Sequence, residues 1–315
     1  VIHAVIIDSR SASFSIETMD SHMIDPASPA SAAAAQQPPV RPRVAVIIPC
    51  YNDGIYLVDA VSSLAGIEDA EIMIVDDGST DALTLQVLRD LTEQGFAVLH
   101  QQNAGLSAAR MAGVRATSAP YIYNLDADDL AAADVLERMV DLLDADPQAA
   151  VCYGDYREFG DSEGTRLVPP LIDPFRLAYT NEYPVTALFR RSALEAAGGW
   201  RHIGAGYEDW RLWMTLAQQG CRGVHVGAGV HTYHRRLHGE RMLGAAKGNH
   251  RALYRTLRGE HPALFAEIAA HRRASKLSLG RKVIYPVLYG GRRRFRFEGK
   301  VKAWLDRIGI WTLRG

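Results

Sequence analysis

The sequence predicts an α/β fold, a mostly parallel sheet flanked by helices, on two observations. Apolar strand-like runs alternate with helical spacings of apolar residues across residues 44–125. Each of the four strand-like runs also leads into a polar cluster. Alternating strands and helices imply parallel pairing with helices on both faces. In such sheets ligands bind at the carboxyl ends of the strands, where these clusters fall.

The elements follow in order. Val44-Ala45-Val46-Ile47-Ile48 reads as a buried strand closed by Pro49, with Tyr51-Asn52-Asp53 after it and a helix from about Ile55 to Leu64. Glu71-Ile72-Met73-Ile74-Val75 is a second strand ending in Asp76-Asp77-Gly78-Ser79, a sequence suited to a turn and a helix N-cap by Ser79 or Asp81. Leu83 to Leu91 carries helical spacing. Phe96 to Leu99 is a third strand, followed by Gln102-Asn103-Ala104-Gly105 and a helix from Leu106 to Ala116. The fourth strand, Tyr121 to Leu125, runs into Asp126-Ala127-Asp128-Asp129. Two carboxylates one residue apart at a strand end can share one hard divalent cation and leave room for substrate phosphates. They can equally be a solvated acidic turn, with Asp129 capping a helix that begins near Leu130.

The second half is less regular. Ala149 to Tyr153 suggests a strand, and residues 158–183, interrupted by Pro169, Pro170 and Pro174, read as loop. A short helix spans Arg191 to Ala197 and stops at Gly198-Gly199. Glu208 to Gln219 is amphipathic and stops at Gly220. Tyr233 to Met242 reads as a basic loop.

At 315 residues, 48% hydrophobic and 23% charged, the chain has the composition of a soluble globular protein. The formal net charge of −1 hides an asymmetry. From His271 onward thirteen Lys and Arg face only Glu298 and Asp306, a net of about +11 that leaves about −12 for the rest. The acidic body gives no reason to expect nucleic acid. Cys50, Cys152 and Cys221 are too scattered for a disulfide framework or a zinc site. No apolar run reaches the ~18 residues of a membrane span. No secretory signal is evident, so a cytoplasmic setting is expected, with peripheral contact at the inner membrane face. Residues 1–42, rich in Ala, Pro, Ser and Gln toward their end, are expected to form a disordered leader.

Together, Val46-Ile47-Ile48-Pro49-Cys50-Tyr51-Asn52, Val75-Asp76-Asp77-Gly78-Ser79-Thr80-Asp81, Asn103-Ala104-Gly105-Leu106-Ser107-Ala108-Ala109-Arg110, Leu125-Asp126-Ala127-Asp128-Asp129, Gly198-Gly199-Trp200 and Gly206-Tyr207-Glu208-Asp209-Trp210 resemble the family 2 glycosyltransferases in order and spacing. The resemblance implies the GT-A fold over residues 43–260, a nucleotide-sugar half at 43–130 and an acceptor half at 131–260, with 261–315 a basic amphipathic extension. It implies an enzyme that moves a single sugar, with inversion, from a UDP- or dTDP-sugar to a hydroxyl of a cell-surface glycan or lipid-linked acceptor. Tyr51 and Pro49 would form a wall for the base, Asp77 would accept from its imide N–H, and Asp76 would support that turn. Asn103, Gly105 and Arg110 would lie along the donor. Asp126 and Asp128 would hold Mn²⁺ or Mg²⁺ against the diphosphate, joined by His238 from the basic segment, where His231 and His234 are alternatives. Asp209 would be the general base, supported by Glu208. A sugar nucleotidyltransferase is the first rival, though the segment after the first strand lacks the Gly-rich basic loop such enzymes carry. A non-catalytic protein on the same fold is the second. The tail, residues 271–314, is expected to contact an anionic membrane.

Overall fold

The computed structural model describes residues 42–289 except 68, 205 and 240–248. The expected leader, save Pro42, the end of the basic segment from Glu240 to Met242, and the extension past Tyr289 lie outside the described residues. The predicted alternation is present as β1 (Val44–Cys50), α1 (Gly54–Ser62), β2 (Ala70–Asp76), α2 (Ala82–Glu93), β3 (Ala97–His100), α3 (Leu106–Ala116) and β4 (Tyr121–Asn124). Then come β5 (Leu130–Ala131), α4 (Ala133–Ala145), β6 (Ala149–Tyr153), β7 (Asp155–Gly160), β8 (Gly164–Arg166), α5 (Pro174–Leu177), β9 (Leu188–Arg190) and α6 (Arg191–Ala196). The described residues continue with α7 (Glu208–Gln218), β10 (Arg222–His225), β11 (His231–Leu237), α8 (His250–Glu260), α9 (Pro262–Ala266), α10 (Ile268–Ala274) and α11 (Leu279–Tyr289).

Seven strands form one sheet in the order β10-β6-β9-β4-β1-β2-β3. Pairing is parallel except at β9, which runs antiparallel to both β4 and β6. The chain winds outward from β1 to β3 and then returns to lay β4 on the other side of β1. That reversal opens a crevice between the carboxyl ends of β1 and β4, the place where open α/β sheets take ligands. A second sheet, β5-β11-β7-β8, follows from the same strand ends.

Period-two alternation divides β1 between two cores. Ala45 and Ile47 join Ala109 and Val114 of α3, Leu212 and Trp213 of α7 and Leu253 of α8. Val44, Val46 and Ile48 face Leu57 of α1, Leu88 of α2 and Met139 of α4. Burial pushes the thiols of Cys50 and Cys152 up to about 12, so both are inert packing residues.

Three sequence expectations are corrected. Pro49 does not close β1: it pairs with Val75, and Cys50 with Asp76. Ile47 and Pro49 turn their backbone groups to the β4 side, where the ladder has ended with Leu125 N–H on the Ile47 carbonyl, so the missing proline donor is not needed. Residues 158–183 are not all loop, since β7, β8 and α5 fall there. The three residues of β8 are all exposed, so no apolar alternation marked them. Tyr233 to Leu237 belongs to strand β11, where Arg235 lies over Tyr156 and pairs with Glu158 of the second sheet, and Arg236 reaches out to Asp59 of α1.

Gly113 sets how closely α3 lies on the sheet. A Cβ there would sit 2.4 Å from Ile47 Cγ2 and 3.1 Å from Val75 Cγ2. Gly113→Val therefore overpacks a two-strand contact, at ~1–3 kcal/mol, or a fall in Tm of roughly 3–10 °C. Thermal denaturation checks this, and an unchanged Tm means that α3 is free to shift.

Candidate active site

At the β1 end the backbone of Asn52 turns through φ 58°. Its Oδ1 accepts from the N–H groups of Thr80 (2.8 Å) and Asp81 (2.9 Å), and its own N–H donates to Ser79 Oγ at 3.0 Å. This ties the β1 and β2 endings together. Asp81, rather than Ser79, caps α2 by accepting from Thr84 N–H at 2.8 Å. Asp76 accepts from Ser79 N–H at 2.9 Å and meets His100 Nδ1 at 3.0 Å. Burial opposes its charge, yet the bonds from Ser79 and His100 outweigh burial and hold its carboxyl below the usual range. Tyr51 stands at this edge, 46% exposed, immediately after the strand that carries Pro49.

Asp77 is turned inward. Its Oδ1 accepts from Gln101 Nε2 (2.6 Å) and Ala104 N–H (2.8 Å), and its Oδ2 from Gly105 N–H (2.8 Å). Three of about four acceptor positions on the carboxylate are thus filled by the loop that leads into α3, leaving about one for a ligand. Asn103 in that loop is exposed. Gly105 is the N-cap of α3 at φ 87°, and a Cβ there would meet nothing within 4 Å. The glycine is needed for its backbone conformation, and the space beside it is open. No side chain caps α3, so the positive end of the helix faces that space.

Arg110 points into the protein. It is buried, its Nη2 2.7 Å from Asp126 Oδ1 and its Nη1 3.3 Å from Glu208 Oε1. The guanidinium also lies 5.7 Å from the centroid of the Trp200 ring. Asp126 Oδ1 receives Asn124 Nδ2 as well, at 3.3 Å. The first carboxylate of the Asp-x-Asp pair is therefore engaged within the protein.

Asp128 faces the crevice, its Oδ2 2.9 Å from His238 Nε2. The His238 ring leans on Tyr56, with centroids 4.5 Å apart. His231 instead approaches Thr165 Oγ1, at 3.4 Å. Asp129 does not cap α4, which begins at Ala133; it accepts from Arg236 N–H at 2.9 Å. Arg236 also donates to the Asp128 carbonyl and to Asp59, binding β11 to the acidic turn. Burial, followed by repulsion from Asp126, raises the Asp128 carboxyl. Burial and repulsion from Asp128 raise those of Asp53 and Asp129. The turn is therefore short of positive charge. Among the described residues no three side chains stand ready as a complete metal cage. Asp128 and His238 are the pair that could hold a hard cation, with a ligand's oxygens and water completing the shell.

Across the site, α7 starts with Glu208 and Asp209. Arg110 engages Glu208, whereas Asp209 receives, among the described residues, a single side-chain donor, Asn181 Nδ2 at 2.9 Å from its Oδ2. Burial, then the charge of Glu208, pushes the Asp209 carboxyl up to about 6. Tyr207 just before it takes a left-handed φ of 72° and is anchored through its hydroxyl, 2.9 Å from His250 Nδ1. Trp210 Nε1 and Trp213 Nε1 donate to the carbonyls of Leu177 and Pro184, at 2.7 and 2.8 Å. These two bonds pin the segment carrying Asn181 over α7. Asn181, Tyr56 and Arg236 went unpredicted: Asn181 lies in a proline-rich stretch with no motif, and the other two act through partners distant in sequence.

The geometry agrees with what the chain is similar to. Residues 45–197 match the pattern described as Glycosyl transferase family 2. Glycosyltransferase GlyA of Streptococcus pneumoniae is 35% identical over 126 residues, 39% of this chain and 18% of the relative. Chondroitin synthase of Escherichia coli is 30% identical over 224 residues, 66% of this chain and 32% of the relative. The chain thus spans less than half the length of either. Among solved structures, S. aureus TarS 1-349 in complex with UDP-GlcNAc aligns with a TM-score of 0.57 at 18% identity, covering 85% of this chain and 78% of that one. Mannosyltransferase PcManGT from Pyrobaculum calidifontis, in complex with GDP-Man and Mn²⁺, aligns with a TM-score of 0.52 at 19% identity, covering 86% and 81%. The fold is the GT-A α/β architecture, and residues 45–197, about half of the chain, match glycosyl transferase family 2.

Proposed function

We propose that this protein is an inverting glycosyltransferase that moves one sugar from a nucleoside-diphosphate sugar to a hydroxyl of a glycan or lipid-linked acceptor. A uridine diphosphate donor is the first candidate, because the fold neighbour TarS is described with UDP-GlcNAc and UDP. The observation that carries the reading is that one buried guanidinium, Arg110, ties the acidic turn (Asp126, 2.7 Å) to the start of α7 (Glu208, 3.3 Å), next to the raised carboxyl of Asp209. Tyr51 offers an exposed ring for the base, and the remaining acceptor position of Asp77 suits an imide N–H. The uncapped start of α3 beyond Asn103 and Gly105 favours negative charge.

Asp209 takes the proton of the acceptor hydroxyl as that oxygen forms its bond to the anomeric carbon. The bond from that carbon to the phosphate oxygen breaks, and the nucleoside diphosphate leaves with the electron pair. Asn181, together with the Trp210 N–H, orients the Asp209 carboxylate for the acceptor. Glu208 is a poorer base because Arg110 already holds it. A divalent cation, Mn²⁺ or Mg²⁺, on Asp128 and His238 would offset charge on the departing diphosphate. Asp126, held by Arg110, shapes the turn and sets its charge.

Asp209→Asn keeps the shape and the bond network but removes basicity. Turnover should fall ~10²-fold or more, while calorimetric donor binding stays within a few-fold. In the intact enzyme the base must be unprotonated. Because its pKa is raised to about 6, kcat/KM should climb with pH through that value and fall below it with a one-proton slope. Near-normal turnover in the variant moves the base elsewhere.

Chelation should abolish transfer, and Mn²⁺ or Mg²⁺ should restore it. Asp128→Asn should lose the gain in donor affinity that metal confers, measured as a thermal shift with nucleotide, with and without Mn²⁺. Full activity of thoroughly chelated protein contradicts the metal assignment.

A further inference from the structure

Helix α11 packs on the domain by one side only. Tyr285 is buried against Phe175 and Leu277, its hydroxyl 2.9 Å from Glu182 Oε1, and Ile284 packs beside it. Within the tail expected to contact a membrane, Tyr285 is thus turned inward and Ile284 partly so. On the same helix Leu279, Val283 and Val287 are 82%, 56% and 47% exposed. A spacing of four residues places all three along one stripe of the helix. Leu171, 59% exposed, adds a further apolar side chain, and it lines a cavity of about 280 Å³ shared by residues 169–174 and the segment that leads into α11.

Asp173 and Glu182 are engaged on the inner side, by Ser275 and by Tyr285, while the helix and the segment leading into it carry charge of one sign. From Ile268 to Tyr289 there is no Asp or Glu, while Arg272, Arg273 and Lys276 are exposed and Lys282 partly so. The sequence past Tyr289 adds eight basic residues against two acidic ones. An apolar stripe flanked by cations suits the boundary between lipid headgroups and acyl chains. An anionic surface adds attraction that decays over a Debye length.

We propose that the outer face of α11, through Leu279, Val283 and Val287, docks this chain on an anionic lipid bilayer. The proposal does not depend on the sugar-transfer reaction, and its test needs no substrate. The full chain is sedimented with phosphatidylglycerol-containing vesicles and with phosphatidylcholine vesicles, at low and high salt. It should pellet with the anionic vesicles, less at high salt and little with neutral ones. The triple change Leu279→Asp, Val283→Asp and Val287→Asp touches exposed positions, so its Tm should hold while vesicle binding drops roughly tenfold or more. As a second arm, Leu279→Cys in a Cys221→Ser background carries an environment-sensitive fluorophore, whose emission should shift to the blue on adding anionic vesicles. Failure of the full chain to pellet at low salt overturns the proposal. Undiminished binding by a folded triple variant, or an unmoved fluorophore on vesicle-bound protein, overturns the assignment of this face.

Discussion

The guanidinium of Arg110 is the interaction on which the site depends. It lies in α3, yet it reaches Asp126 at the end of β4, Glu208 at the start of α7 and the face of Trp200. Four motifs separated along the chain meet at this cation. A buried guanidinium loses much of its hydration and is stable only when its partners are close and well aimed. Removing its charge leaves two partly buried carboxylates facing each other, and breaking a buried pair of this kind costs ~3–5 kcal/mol. The same contact separates the carboxylates into roles. Asp126 and Glu208 are committed to Arg110, while Asp128 and Asp209 remain available on either side of the crevice.

The acidic turn and Asp209 are thus electrostatically linked. Asp53, Asp128 and Asp129 are all raised, first by burial and then by neighbouring carboxylates. The turn would be more relaxed with another positive charge, and His238 beside Asp128 answers that need in part when protonated. Asp209 is poised near neutrality by opposing influences. Burial and Glu208 raise it, while the Trp210 N–H, Arg110 and Asn181 pull it back. On the proposed chemistry that balance gives a base that is unprotonated at neutral pH yet strong enough to take a proton.

The first half of the fold was legible in the sequence because each strand from β1 to β4 is a continuous apolar run ending in polar residues. Such runs need no tertiary partner to be recognised. The second sheet was not legible: β8 has no buried residue, and β11 carries arginines whose partners, among them Glu158, Asp59 and the Asp128 carbonyl, are distant in sequence. Site residues were legible by type and less so by orientation. Asp77 and Arg110 stand where their motifs put them, but one is latched to the α3 loop and the other is buried. Asn181 could not be found, because its position over Asp209 is set by two tryptophan hydrogen bonds across loops. The division of α11 into an inner and an outer face was likewise invisible, since the inner face mixes the buried Arg281 with Tyr285 and the outer one is apolar.

The central claim is that Arg110 acts as a positioning charge between the acidic turn and Asp209, and not as a diphosphate ligand. The most direct measurement is the pH dependence of kcat/KM for Arg110→Gln beside that of the unaltered enzyme, with nucleotide affinity measured on both. The glutamine keeps hydrogen-bonding capacity and removes the charge. The account predicts that the acidic limb moves upward from about 6, because a cation that favoured the ionised base is gone, while nucleotide affinity stays within a few-fold. An acidic limb that does not move, together with a large loss of nucleotide affinity, would contradict it and place Arg110 on the donor.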